Sequence, residues 1–559
     1  MERPADTIAR RARRAIGVFA LAVALAVLMT WPLASGLGRL GRTTTMDGLY
    51  SIWNVGWVAR TLVSHPGALF EANIFYPHHN TLAFSESNIG AGVVGIPAWW
   101  LTGNAYAAHN SALLFGFAST LFGTWLLLRH LTGDSVGAFA AAIMFAFCPY
   151  FFSHSAHIQL LMAGGIPLAM LALHRLVDRP TPARGVVLGL ILAGQALSCA
   201  YYGIFAGLMV GYGVLLLAAM RRAWRDPRYW IAIALAAVTA ILCVLPFFLP
   251  YLEIQRDEGF RRSLDDALRY SATPASYLAT PAHAHHWILL LARRLGWHTG
   301  EVLFPGLLAL TCGIAGLILG LRAPRTNRTD GGDRETAVLY GSLGALALWA
   351  SFGPPAILYT VLFRAIPLFT FLRAPSRFGL VVAFALVVLA SLALKRLARL
   401  PARQHWVAAA AIGIAAVAEL NVLPFPWERA LPVPNSYAAL ARMPRAPMAE
   451  FPFYGERVAF PLHAQYMVWS TTHWMPLLNG YSDHIPQDFR EAAFVLDSFP
   501  SNDTFAVLQR RRVRYIGVHW DMFGPRAEEI RTRLQPFMPY LRLLASDANM
   551  SLYEIMAFP

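Results

Sequence analysis

Apolar blocks near the ~20 residues needed to cross a bilayer recur along this chain, among them Ile16 to Leu37, Trp230 to Tyr251 and Val302 to Leu321. They stop near Asn421. Backbone inside a bilayer must satisfy its own hydrogen bonds, so a chain built this way folds as a polytopic helical membrane protein. Composition agrees: of 559 residues, 57% are hydrophobic and 14% charged, against roughly a quarter charged in a soluble domain.

A formal charge of +15 would suit nucleic acid. Here, however, Lys and Arg sit in short clusters between apolar blocks: Arg10/Arg11/Arg13/Arg14, Arg175/Arg179/Arg184, Arg221/Arg222/Arg225/Arg228, Arg322/Arg325/Arg328/Arg334 and Lys395/Arg396/Arg399/Arg403. Such clusters are topology signals, because basic loops stay in the cytoplasm. No nucleic-acid partner is expected.

With the N-terminus inside, about eleven helices fit, near 15–37, 105–130, 135–152, 158–175, 184–199, 202–220, 230–251, 302–322, 337–353, 376–394 and 405–421. Every basic cluster then falls inside, and the turns at Ser153 to His157 and Cys199 to Tyr202 carry no Lys or Arg. The expected location is the inner (cytoplasmic) membrane. Ala34-Ser35-Gly36 at the end of the first block also fits a signal-peptide cleavage site, which would place the start of the chain outside. Cys148, Cys199, Cys243 and Cys312 lie in or beside apolar blocks and indicate no disulfide framework.

Two modules are expected: residues 1–424 as the transmembrane module and 425–559 as a small extracytoplasmic α/β domain. In the latter, strand-like runs at Arg457 to Leu462, Arg514 to His519 and Ser551 to Ile555 alternate with helical stretches near Gln487 to Asp497 and Arg526 to Leu534. The long outer segments are Gly38 to Asn104 and Leu252 to Glu301. Inner loops are short and carry no phosphate-cradling glycine loop, which argues against a soluble nucleotide substrate.

Thr45 is a good N-cap for a helix starting near Met46, which puts Asp47 in the first turn, where an acid is favourable even without a function. On that helix Leu49, Trp53 and Trp57 form an expected interfacial stripe, while Asp47, Tyr50 and Asn54 line another face. His78 and His79 suit hydrogen bonding to a polar substrate or to Asp47, or simple loop packing, better than metal ligation. Glu86 fits either a helix N-terminus or a second active-site carboxylate. Ile89 to Leu101 is too short to span and holds Pro97 and Trp99/Trp100, as an interfacial or re-entrant segment would.

Arg373 and Arg377 flank Pro375 at the outer membrane edge, suited to snorkelling or to phosphate. The outer loop adds Arg256, Arg261, Arg262, Arg269 and Tyr270 among acids, a solvated pattern first and a phosphate site second. His283, His285 and His286 lack a nearby carboxylate in sequence. No metal site is indicated and no cofactor is required, although a divalent cation is compatible.

Asp47-Gly48-Leu49-Tyr50, Phe75-Tyr76-Pro77-His78-His79 and Leu101-Thr102-Gly103-Asn104 together resemble the C-type superfamily of membrane glycosyltransferases, mainly over residues 1–250. In its protein mannosyltransferase and aminoarabinose transferase branches, an acid in the first outer loop precedes a His-Pro-rich stretch and a helix ending in a Gly-containing turn. The usual Asp-Glu pair reads Asp47-Gly48 here. His154 and His157 stand where relatives often have another acid.

The resemblance implies a polyprenyl-phosphate sugar as donor, an extracytoplasmic glycan, lipid or protein as acceptor, and membrane lipid around both. Asp47 and Glu86 are then the catalytic candidates, with Tyr50, His78, His79, Arg373 and Arg377 binding substrate, and Asp47, His78 and Arg373 are expected to converge on one outward cavity. A non-catalytic transporter or lipid- or glycan-handling scaffold is the alternative. A third reading makes the C-terminal domain a glycan-binding module through exposed Tyr466, Trp469, His473, Trp474, Tyr481 and Asp483, although at least half of these are expected to form that domain's core.

Overall fold

The structure, a computed structural model, describes residues 4–259, 262–297, 300–324 and 332–559. Arg261, Arg325 and Arg328 lie outside the described residues. Contacts divide the chain into two compact units. The first comprises Met1–Ser35, Leu113–Phe247 and Arg261–Phe425, and the second Gly36–Ala112, Phe248–Phe260 and Pro426–Pro559. The second unit therefore combines the segment Gly36–Ala112 with the C-terminal segment.

The chain is mostly helical. Among the described residues, six helices are long and apolar enough to cross a membrane: Ala12–Met29, Ala105–Thr132, Ser135–Ser153, Ala200–Arg221, Pro227–Asp257 and Pro375–Arg399. The expected count of about eleven is not confirmed. Several of the remaining helices are short: Pro182–Ser198 has 17 residues, Leu307–Leu321 has 15 and Gly165–Asp178 has 14. The stretch expected as one helix over 158–175 breaks, with Ile158–Leu161 separate from Gly165–Asp178.

In the first unit Leu307–Leu321 packs so tightly on Gly379–Leu394 that a Cβ added at Gly316 would stand 1.8 Å from the Leu389 carbonyl oxygen. Small residues permit such backbone approach between membrane helices. Basic residues of two topology clusters are also ion-paired: Arg221 meets Glu335 at 2.6 Å and Asp178 at 2.8 Å, and Lys395 meets Asp333 at 2.6 Å. Those basic residues fasten helix ends together.

Glu419, the acid near the end of the last apolar helix, has a structural explanation. Its carboxylate accepts from the Leu307 and Leu308 N–H groups at the start of the Leu307–Leu321 helix and pairs with the fully buried His285 at 2.9 Å. A carboxylate at a helix N-terminus satisfies donors that would otherwise have none.

In the second unit a four-stranded sheet runs in the order Met448–Phe451, Tyr515–His519, Met550–Ile555, Leu541–Ser546. The first pair is parallel and the others antiparallel. Two of these strands match the sequence expectation, but Arg457 to Leu462 is not a strand: it forms turns leading into a 3-10 helix at Phe460–His463. Helices at Gln487–Leu496 and Ala527–Leu534 cover the expected stretches.

A polar pair sits in the middle of this core. Glu450 accepts from Tyr437 Oη at 2.8 Å and lies 3.0 Å from His519 Nε2, all three side chains being buried. Burying a carboxylate is costly unless it is paired and hydrogen-bonded, and here it is both. Tyr466 and Trp469 stack on His519 at 5.3 and 4.9 Å, and with Trp474 they are buried. The expectation of an exposed aromatic sugar-stacking face is corrected accordingly, since these rings are needed as core. Of that set, Tyr481 is half-buried and Asp483 exposed.

Candidate functional site

In the second unit, the helix Met46–Ser64 starts as its sequence predicts, with Thr45 Oγ1 accepting from the Gly48 N–H at 3.2 Å and Asp47 in the first turn. Leu49, Trp53 and Trp57 are buried at 1%, 0% and 3%, so the expected interfacial stripe is instead core. Trp53 Nε1 donates to Asn73 Oδ1 and Trp57 Nε1 to the Leu69 carbonyl, so their indole N–H groups are satisfied within the protein. An apolar helical period reads the same whether its face meets lipid or protein.

The other face carries the polar residues. Asn54 Nδ2 reaches Tyr50 Oη and the Glu86 carbonyl, each at 3.3 Å. Burial pushes the Tyr50 phenol up to about 12, so it stays neutral and able to donate. Glu86 lies in coil three residues ahead of the Ile89–Thr102 helix rather than in its first turn, which removes the helix-terminus reading.

The C-terminal segment completes this cluster. Its position follows from backbone pairing: Leu477 N–H donates to the Asn73 carbonyl, Tyr76 N–H to that of Leu477, Phe75 N–H to that of Asn479 and His484 N–H to that of Phe84. Asn479 is further fixed by side-chain bonds to both backbone groups of Glu450, at 2.7 and 3.0 Å. Gly480 lies on the Phe75 ring, where a Cβ would come within 2.7 Å of ring carbon. Held in this way, Tyr481 Oη donates to Asp47 Oδ1 at 2.9 Å, and Ser85 Oγ donates to Asp483 Oδ2 at 3.0 Å. Tyr251 Oη accepts from the Ser87 N–H and donates to the Ser85 carbonyl.

His78 takes a different partner from the one expected: its Nε2 is 2.8 Å from Asp488 Oδ1, and Arg511 holds the other oxygen of that carboxylate at 2.6 Å. Partial burial pushes the Asp488 carboxyl up, but the Arg511 guanidinium and His78 outweigh it and leave it below its ordinary value. A depressed folded value contributes stability above the unfolded carboxylate pKa of about 3.9 that is lost as pH falls through the folded one. Arg511→Gln should therefore destabilise the protein at pH 7 by about a few tenths of a kcal/mol, discounted for exposure. Its difference from wild type in thermal unfolding should shrink below pH 4. A difference that grows with acidification would contradict the pairing.

His79 stands 85% exposed beside Glu71 at 3.0 Å, on the surface. Among the described residues no group of three or more His, Cys, Asp or Glu is placed to hold a metal.

The first unit holds the arginines. The turn Pro375–Phe378 sets the Arg377 guanidinium over the Tyr201 ring at 4.0 Å, while Arg373 lies over Tyr270 at 5.3 Å and its backbone N–H donates to Tyr201 Oη at 2.8 Å. An aromatic face is a favourable neighbour for a guanidinium, through cation–π attraction and stacking.

Sequence reasoning missed Glu301. Its carboxylate lies 3.8 Å from His154 Nε2. Burial raises the Glu301 carboxyl, with Arg377 and His157 pulling it back, and burial together with Arg377 and His157 takes His154 down to about 3. The available signal was an acid at the very end of a long connection between apolar blocks, and its partner is more than a hundred positions away in sequence.

The fold is similar to those of two solved proteins. The oligosaccharyltransferase of Archaeoglobus fulgidus matches with a TM-score of 0.51 at 14% identity, over 92% of this chain and 71% of that one. The mycobacterial arabinofuranosyltransferase AftD matches with a TM-score of 0.56 at 14% identity, over 98% of this chain. This chain spans 42% of the length of AftD. At such identities the likeness is one of fold. No known family profile and no curated sequence matches the chain.

Proposed function

We propose that this protein is a membrane glycosyltransferase that moves a sugar from a polyprenyl-phosphate donor to an extracytoplasmic acceptor, with Asp47 as general base. The observation that carries this reading is the polar cluster at the head of the Met46–Ser64 helix, where Tyr481 orients the Asp47 carboxylate beside Tyr50, Asn54 and Glu86. It is found on a fold shared with two glycosyltransferases.

In this mechanism an acceptor hydroxyl gives its proton to Asp47 as its oxygen attacks the anomeric carbon, and the bond from that carbon to phosphate oxygen breaks. The phosphate departs with the electron pair on its lipid. A phosphate leaves without a dedicated acid, unlike the alkoxide that glycosidases expel with a carboxyl pair. Arg373 and Arg377 stabilise the departing charge through charge-assisted hydrogen bonds. Glu86 and Tyr50 orient the acceptor, while His78 braces the loop through Asp488 and His79 pairs with Glu71 at the surface. Wild-type protein in liposomes, supplied with labelled polyprenyl-phosphate sugars and envelope extract, should release polyprenyl phosphate. Failure across a panel of hexosyl and pentosyl donors would contradict the reading.

The orientation belongs to the same proposal: N-terminus cytoplasmic and C-terminal segment outside, because the basic clusters then share one side. Alkaline phosphatase fused after Pro559 should be active. An inactive fusion on a correctly inserted protein would reverse the topology.

A further inference from the structure

In the first unit the outer loop contains the helix His286–Arg294, which buries a narrow stripe, Ile288 and Ala292, against the loop's own turns. The neighbouring face is apolar and exposed: Trp287 55%, Leu290 45% and Leu291 48%. Trp297 just beyond it is 44% exposed, and Arg293 and Arg294 close its last turn.

The helix is tethered where apolar helices begin and end. His283 N–H donates to the Asn421 carbonyl and His283 Nε2 lies 2.9 Å from that of Leu423, just past the Ala402–Glu419 helix. His285 binds Glu419, which caps the start of Leu307–Leu321. The helix is thus fastened to the ends of two apolar helices. Leu358–Ala365 of the same unit repeats the pattern, with Ile357 and Val361 exposed and Arg364 in its last turn.

We propose that the His286–Arg294 helix is an interfacial anchor that lies in the outer headgroup layer, its Trp287/Leu290/Leu291 face in the acyl boundary and Arg293 and Arg294 on the phosphates of anionic lipids. Trp at the helix start and beyond its end suits the interfacial belt, and arginines reach lipid phosphate by snorkelling. A partner protein would not call for this combination at the ends of membrane helices. Such an anchor holds the loop that ends in Glu301 against the bilayer.

The test uses the full chain with its four cysteines, Cys148, Cys199, Cys243 and Cys312, replaced by Ser. It is reconstituted in nanodiscs of phosphatidylethanolamine and phosphatidylglycerol. A spin label at Leu291→Cys should collide more with oxygen than with a nickel chelate, whereas a label at Glu528→Cys, on a water-exposed helix, should show the reverse. Equal nickel access at the two sites, or dipolar broadening from a second copy at position 291, would overturn the proposal. In a chain with native cysteines, Arg293→Gln with Arg294→Gln should lower the retained ratio of phosphatidylglycerol to phosphatidylethanolamine by about fivefold. An unchanged ratio would remove the anionic-lipid assignment.

Discussion

Replacing Asp47 with Asn should leave the protein inserted and folded while lowering sugar transfer by about 10²- to 10⁴-fold, the usual worth of a positioned general base. The substitution separates chemistry from structure. An amide oxygen at this position still accepts from Tyr481 Oη, so the 2.9 Å contact that joins the first loop to the C-terminal segment survives. The amide cannot take a proton. Transfer measured beside thermal unfolding of the same preparation should therefore fall with little change in midpoint. Normal turnover in Asp47→Asn would remove the residue from the base role. Tyr481→Phe serves as the companion: it keeps the base and loses its orientation, so its loss should be smaller and should be accompanied by lower stability.

The combined change Arg373→Gln and Arg377→Gln should weaken polyprenyl-phosphate binding by roughly 10²-fold or more, since hydrogen bonds to charged groups contribute about 1.5–3 kcal/mol each. The residues are not equal. Arg377 stacks on Tyr201 at 4.0 Å and Arg373 lies over Tyr270 at 5.3 Å, so Arg377 is the more firmly aimed. Arg377→Lys keeps the charge but not the planar fork or the stack, and should recover only part of the affinity. Lipid titration into detergent-solubilised protein followed by native mass spectrometry measures both variants. Unchanged affinity in the double variant would mean that these arginines hold the local fold instead.

The Asp47 end of the site was legible because its determinants are local. Thr45, Met46 and Asp47 set a capped helix start within a few residues, and the helix forms as expected. Its partners were not legible, because Tyr481 is brought to Asp47 by pairing between Asn73 to Tyr76 and Leu477 to Asn479, a register no local pattern encodes. Trp53 and Trp57 were misplaced for a different reason. A Trp stripe with helical period suits a lipid interface, and only the hydrogen bonds to Asn73 and Leu69 show that protein covers it.

In the C-terminal segment the Arg457 to Leu462 run has strand-like composition but no neighbour to pair with. The strand Met448–Phe451, set between prolines, was too short and too fully buried to show alternation. Glu301 illustrates the same limit, since an acid expected near His154 in sequence arrives there from another loop.

The most direct measurement is an experimental structure of the full chain with a bound polyprenyl phosphate. Phosphate density within hydrogen-bonding reach of Arg377 or Arg373, with the Asp47 carboxylate no more than about 15 Å from both arginines so that one sugar phosphate can bridge them, is the expected result. Density for the phosphate elsewhere, or an Asp47 carboxylate beyond that reach of both, would contradict the assignment of base and phosphate clamp to one reaction.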